Sequence, residues 1–150
     1  MDLFEDNLPI IFEEGKAEIF YYSDFFSKKE ALKLFQEINT QVDWKRETIV
    51  MFGKELPIPR DTAWFGDRSY TYSGIKNEPS SFTPLLLKIK QAIENKTNET
   101  FNSLLINRYK SGDDKVDWHS DDEPELSKES SIASLTLGEP RDFLMRQKGR

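Results

Sequence analysis

A chain of 150 residues with 37% hydrophobic and 32% charged side chains has room for one core and is too polar for a membrane span, while its 13% aromatic content is too high for a disordered chain. The absence of cysteine excludes a disulfide framework and a thiolate zinc site. A formal net charge of −6 speaks against a surface that coats nucleic acid, because phosphate neutralisation takes clustered Lys and Arg, but it leaves room for local basic faces.

The N-terminal stretch MDLFEDNLPIIFEEGK has no basic flank followed by a long apolar run, so the expected address is intracellular, nuclear in a eukaryote and cytoplasmic otherwise. Residues 16–22, KAEIFYY, alternate in a way that predicts a strand. Ser27-Lys28-Lys29-Glu30 then has the form of a capping box, so a helix starts there, with Ala31, Leu34, Phe35 and Ile38 as its core face through about Thr40. Residues 47–52 predict a strand, and Gly53 followed by residues 54–57 supplies the turn material for a hairpin. Lys45, Arg46, Lys54 and Arg60 form a basic cluster around that hairpin, and Arg141, Arg146, Lys148 and Arg150 form another near residue 150. Solvated mixed-charge surface is the simplest reading of both.

Residues 61–72 are aromatic-rich and extended. Thr83-Pro84 is a good helix start, with Leu86, Ile89 and Ile93 as a buried stripe through about Asn95. From Phe101 onward the pattern changes to strands at residues 103–109, 132–137 and 143–145, the first followed by a polar loop through Ser111-Gly112-Asp113-Asp114. Two early helices followed by short strands predict an α+β domain in which helices support a β-sandwich or jelly roll. The last strand has nothing after it to pair with, which predicts an open edge.

The chain's one histidine, His119, stands in Trp118-His119-Ser120-Asp121. On extended backbone a His-x-Asp pair points to one face, so both side chains could bind one metal. In so acidic a chain such a pair also arises by chance, and a lone histidine is usually structural. Upstream, alternation places Asn107 and Tyr109 together on one face, and downstream Asp122 and Glu123 follow Asp121. A non-haem iron site needs two neutral imidazoles and one carboxylate on one side of the metal, and His119 and Asp121 can supply two of the three.

The stretches FNSLLINRYKSGDDKVDWHSDDEPEL and SIASLTLGEPRDF, preceded in order by MFGK, IPR, FGD and YTYSG, resemble the AlkB family of iron(II)- and 2-oxoglutarate-dependent oxygenases, closest to the human homologue 2 and 3 type. The resemblance covers about residues 49–148. It implies a double-stranded β-helix (jelly-roll) core supported by N-terminal helices, in one domain over residues 1–150 that stops before the last strands. It implies oxidative demethylation of N-alkylated bases in DNA, with RNA as a further substrate, using Fe(II), 2-oxoglutarate and O2. By the same resemblance His119 and Asp121 are iron ligands and Asn107 and Tyr109 hold 2-oxoglutarate. Tyr70, Tyr72 and Ser73 match the rim of a pocket for a flipped base, with Tyr72 and His119 sandwiching its ring, Asp122 and Glu123 near its edge, and Arg60 in contact with the nucleic acid. Phe52 matches a finger that fills the gap left by the flipped base. Core packing is the alternative for Phe52, Tyr70 and Tyr72.

The family's second iron-binding histidine and its 2-oxoglutarate-binding arginines have no match in these 150 residues, which hold one histidine. The expectation is therefore a fragment or truncated product, inactive as it stands and monomeric, with no membrane partner. The alternatives are a catalytically silent relative that binds damaged nucleic acid, and a hydroxylase of the same fold acting on protein or a small molecule.

Overall fold

The computed structural model describes residues 8–14, 17–51, 53–66, 70–72, 75–77, 79–120 and 131–146. They fall into two compact units, residues 1–40 with 135–150, and residues 41–134. In the first unit β1 (Ile10–Glu14) pairs antiparallel with β2 (Ala17–Tyr21), Ile10 opposite Tyr21 and Phe12 opposite Ile19. Only the second arm of this hairpin is foreseen by the alternation argument. α1 (Lys28–Gln41) opens with the expected capping box: the Ser27 N–H donates to Glu30 Oε2 at 3.2 Å and the Glu30 N–H to Ser27 Oγ at 3.3 Å. Its apolar face is narrower than expected. Leu34 is buried and Ala31 and Ile38 are half-buried, but Phe35 remains 42% exposed. The Phe35 ring lies against Gly138, where an added Cβ would come within 2.9 Å of its Cε2.

The second unit runs β3 (Thr48–Met51), β4 (Lys54–Pro57), β5 (Asp61–Gly66), β6 (Tyr70–Tyr72), β7 (Ile75–Asn77), α2 (Pro84–Thr97) and β8 (Ser103–Arg108). β3 and β4 form a hairpin that is tighter than expected: residues 54–57 are its second strand and not turn, because Gly53, at φ 73°, turns the chain at once in a left-handed conformation that glycine adopts at little cost. β6 and β7 form a second hairpin. β5 and β8 pair antiparallel although they are far apart in sequence, Asp61 opposite Arg108 and Thr62 opposite Asn107. β5 also makes backbone bridges to Lys45 and Ser80, through Thr62 and Phe65. Its residues Asp61, Ala63 and Phe65 are buried, while Thr62 and Trp64 on the other face are half-buried.

α2 begins as the Thr83-Pro84 signal requires: Thr83 Oγ1 accepts from the Leu86 N–H at 3.3 Å, and Leu86 and Ile89 form the buried face. It ends at Asn98, in the left-handed region at φ 56°, whose N–H donates to the Glu94 carbonyl at 2.9 Å.

The strands expected at 132–137 and 143–145 are absent from the described residues. Ile132 is 65% and Phe143 79% exposed, and nothing between 131 and 146 joins a ladder. An alternating apolar run becomes a strand only where a partner takes its N–H and C=O groups, and no described residue does so here. The observed architecture is thus two helices with small antiparallel sheets. Among the described residues no helix is long and apolar enough to cross a membrane.

Candidate functional site

The antiparallel register divides the β5–β8 pair into two faces. Asp61, Ala63 and Phe65 share the inner face with Arg108, Ile106 and Leu104, and Thr62 and Trp64 share the more open face with Asn107 and Leu105. Asn107 is solvent-exposed there, and half-buried Tyr109 follows the end of the strand. Sequence alternation and structure agree on the placement of Asn107.

Three consecutive residues, Pro59 and Arg60 just before β5 and Asp61 at its start, hold β8 and the loop after it. The Pro59 carbonyl accepts from the Lys115 N–H at 2.9 Å. Arg60 is 7% exposed, and its Nε donates to Asn107 Oδ1 at 3.0 Å. Asp61 is 2% exposed and accepts from Arg46 Nε at 2.7 Å, Arg108 Nη2 at 2.7 Å and Lys110 Nζ at 2.8 Å. Asp114, also buried, accepts from Arg46 Nη2 at 2.8 Å and from the Lys110 N–H at 2.9 Å. The Arg108 guanidinium lies 4.4 Å from the centre of the Trp44 ring, a cation–π contact.

The electrostatics follow from the geometry. Burial of Asp61 by itself would raise its pKa, but the bonds from Lys110, Arg108 and Arg46 outweigh that and hold it well below the usual carboxylate range. Asp114 is lowered first by the Lys110 N–H, against the opposing effect of burial, with Arg46 adding to the shift. Both acids are therefore fixed anions that pin residues 110–115, the loop running from Tyr109 towards His119.

His119 is exposed, and its Nδ1 lies 2.8 Å from the Asp117 carbonyl oxygen. A carbonyl can only accept, so Nδ1 is the donor, and the nitrogen left for a metal is Nε2. A metal-binding imidazole is oriented in this way, its other nitrogen held by a backbone carbonyl. The side chain thus fits an iron ligand, although among the described residues no three His, Cys, Asp or Glu gather around one point. Asp121, Asp122, Glu123, Phe52 and Ser73 lie outside the described residues. Tyr70 and Tyr72 stand on β6, opposite Asn77 and Ile75.

Two features escape the sequence reading. The basic cluster expected around the β3–β4 hairpin loses two members: Arg46 is engaged by Asp61 and Asp114, Arg60 is buried, and Lys45 and Lys54 remain exposed. The ion network itself was also missed. The alternation that puts Asn107 on one face of β8 puts Arg108 on the other, and a cation on a core-facing position needs a buried acid. That signal pointed to a partner such as Asp61.

A profile of the 2OG-Fe(II) oxygenase superfamily matches residues 18–150. The chain is 43% identical over 135 residues to alpha-ketoglutarate-dependent dioxygenase alkB homolog 3 of Homo sapiens, covering 89% of this chain and 47% of that protein. It is 40% identical over 132 residues to the DNA oxidative demethylase ALKBH2 of Homo sapiens, covering 85% of this chain and 51% of the relative. With the ALKBH2 of Arabidopsis thaliana it shares 34% identity over 140 residues, 88% of this chain and 44% of the relative. The chain spans about half the length of the curated relatives it matches. A family profile over residues 18–150, a range that includes Asn107 and His119, together with relatives at this identity, leads to one assignment: the chain belongs to the 2OG-Fe(II) oxygenase superfamily.

Proposed function

We propose that this chain carries the cosubstrate strand and the first iron ligands of an Fe(II)/2-oxoglutarate-dependent dioxygenase that oxidatively demethylates N-alkylated bases in DNA, with RNA as a further substrate. The observation that carries the reading is the order of groups along one segment. Asn107 is on the open face of β8 and Tyr109 is just beyond it; the loop after them is pinned by Asp114 and Lys115, and His119 follows with its Nδ1 held by the Asp117 carbonyl. The names of the relatives, an alpha-ketoglutarate-dependent dioxygenase and a DNA oxidative demethylase, supply the substrate class. A jelly-roll core in a single domain, with β5 and β8 as two of its strands, is part of the same reading, as are a monomeric state and an intracellular address.

His119 through Nε2 and Asp121 through its carboxylate would hold the iron. The Asn107 amide and the Tyr109 hydroxyl would donate to oxygens of 2-oxoglutarate. Bound together, iron(II) and 2-oxoglutarate supply the activation of dioxygen that hydroxylates the N-alkyl carbon, after which the hemiaminal breaks down to aldehyde and repaired base. Tyr70, Tyr72 and Ser73 would rim the pocket for the flipped base and Asp122 and Glu123 would face its edge, with Phe52 filling the gap in the duplex.

The test uses the natural protein that carries this chain, with Fe(II), 2-oxoglutarate and a methylated oligonucleotide. Succinate should form in step with loss of the methyl group, and His119→Ala or Asp121→Ala should each lower the rate by about a hundredfold or more. Succinate formation that ignores both substitutions would overturn the reading.

A further inference from the structure

We propose that Arg60 is a positioning residue for cosubstrate binding: it fixes the Asn107 amide with its oxygen inward and thereby presents the amide NH2 as a donor to a carboxylate ligand. The proposal rests on the reading of Asn107 as a cosubstrate group.

A guanidinium has no acceptor, so a side-chain amide that meets Arg60 Nε at 3.0 Å must turn its Oδ1 towards it. The two ends of a planar amide point apart, and Nδ2 is therefore directed away from Arg60. A carboxylate offers only lone pairs, and the NH2 end is the one that complements it. An Asn107 rotated by half a turn would present its oxygen to the same carboxylate and repel it. An exposed asparagine has no intrinsic preference between these orientations, so something must hold the productive one.

Arg60 is placed to do so. It is 7% exposed, between Ile58 at 6% and Asp61 at 2%, and its N–H is bonded to the Ile58 carbonyl at 2.8 Å. On the adjoining residues Asp61 fixes Arg108 and Lys110 on either side of Tyr109, and Pro59 holds Lys115. The strand that carries Asn107 is thereby held in register with the residue that orients its side chain. So deeply buried a side chain is better suited to this inward contact than to gripping a phosphate from the surface.

The experiment is a double-mutant cycle in the natural protein with Mn(II) in place of iron(II), reading calorimetric affinity for 2-oxoglutarate and, separately, affinity for a methylated single-stranded oligonucleotide. Arg60→Met should weaken 2-oxoglutarate binding by about tenfold and leave the oligonucleotide affinity within about twofold. Arg60→Lys, which can still donate to Oδ1, should recover part of the loss. In an Asn107→Ala background Arg60→Met should have no further effect, because the amide it orients is gone. If Arg60→Met does not fold, the same cycle is read with Arg60→Lys. A loss confined to the oligonucleotide, or losses that multiply in the double variant, would overturn the role assigned to Arg60 while leaving Asn107 as a ligand group. Unchanged 2-oxoglutarate affinity in Asn107→Ala alone would overturn the underlying reading, and the positioning role with it.

Discussion

Asp61 shows how much one side chain can organise. Its carboxylate is nearly inaccessible and is surrounded by Arg46, Arg108 and Lys110, so removing the charge would leave partly buried cations without their counterion. The loss is tempered because the Arg46 and Lys110 side chains are 38% and 56% exposed and can recover hydration. Asp61→Asn should therefore cost about 2–3 kcal/mol at neutral pH, measured by chemical denaturation. The pH dependence has a definite sign. The folded-state pKa of Asp61 lies below its unfolded value of about 3.9, so its stabilising effect is complete above that pH and is lost as acidification proceeds towards the folded value. Melting temperatures should fall more steeply between about pH 4.5 and pH 2.5 in the natural sequence than in Asp61→Asn. Parallel profiles would show that the network does not hold Asp61 as an anion.

At the scale of elements, the signals that work are local. The Ser27–Glu30 box starts α1, Thr83 with Pro84 starts α2, and Gly53 turns the β3–β4 hairpin, each within a few residues of the feature it specifies. Thr83→Ala should cost about 1 kcal/mol, because the Leu86 N–H loses its acceptor, and lower the melting temperature by about 3 °C. Thr83→Ser should restore most of it, and a Thr83→Ala protein that melts with the natural one would remove the cap from the account of α2. The site is legible only in part, because its contacts are distant: Arg60 reaches Asn107 across 47 positions and Arg46 reaches Asp114 across 68. Periodicity reports which face of its own strand a residue occupies, as for Asn107, and carries no information about which strand lies opposite. The strands expected at 132–137 and 143–145 fail for a related reason, since an apolar alternating run encodes half of a ladder.

For the molecule as a whole, net charge and ligand count set what these 150 residues can bind. With a net charge of −6, and with two of the four cations around the hairpin withdrawn, Arg60 by burial and Arg46 by pairing with Asp61 and Asp114, recognition of nucleic acid by this chain would depend on a shaped pocket more than on a long-range basic field. Metal binding is limited in a similar way. The iron sites of this kind of oxygenase use two imidazoles and one carboxylate, and this stretch of sequence holds one histidine. With His119 and Asp121 as the protein ligands, water must complete the coordination sphere around any metal the 150 residues bind on their own. Each missing protein ligand removes a bond whose geometry was organised in advance, so affinity for Mn(II) as an iron surrogate should be micromolar or weaker. Isothermal calorimetry on the 150-residue chain should show that weak site abolished by His119→Ala or by Asp121→Ala, with little change in melting temperature, since His119 is exposed. Submicromolar binding that survives His119→Ala would place the metal elsewhere, and the ligand role of His119 would then have to be given up.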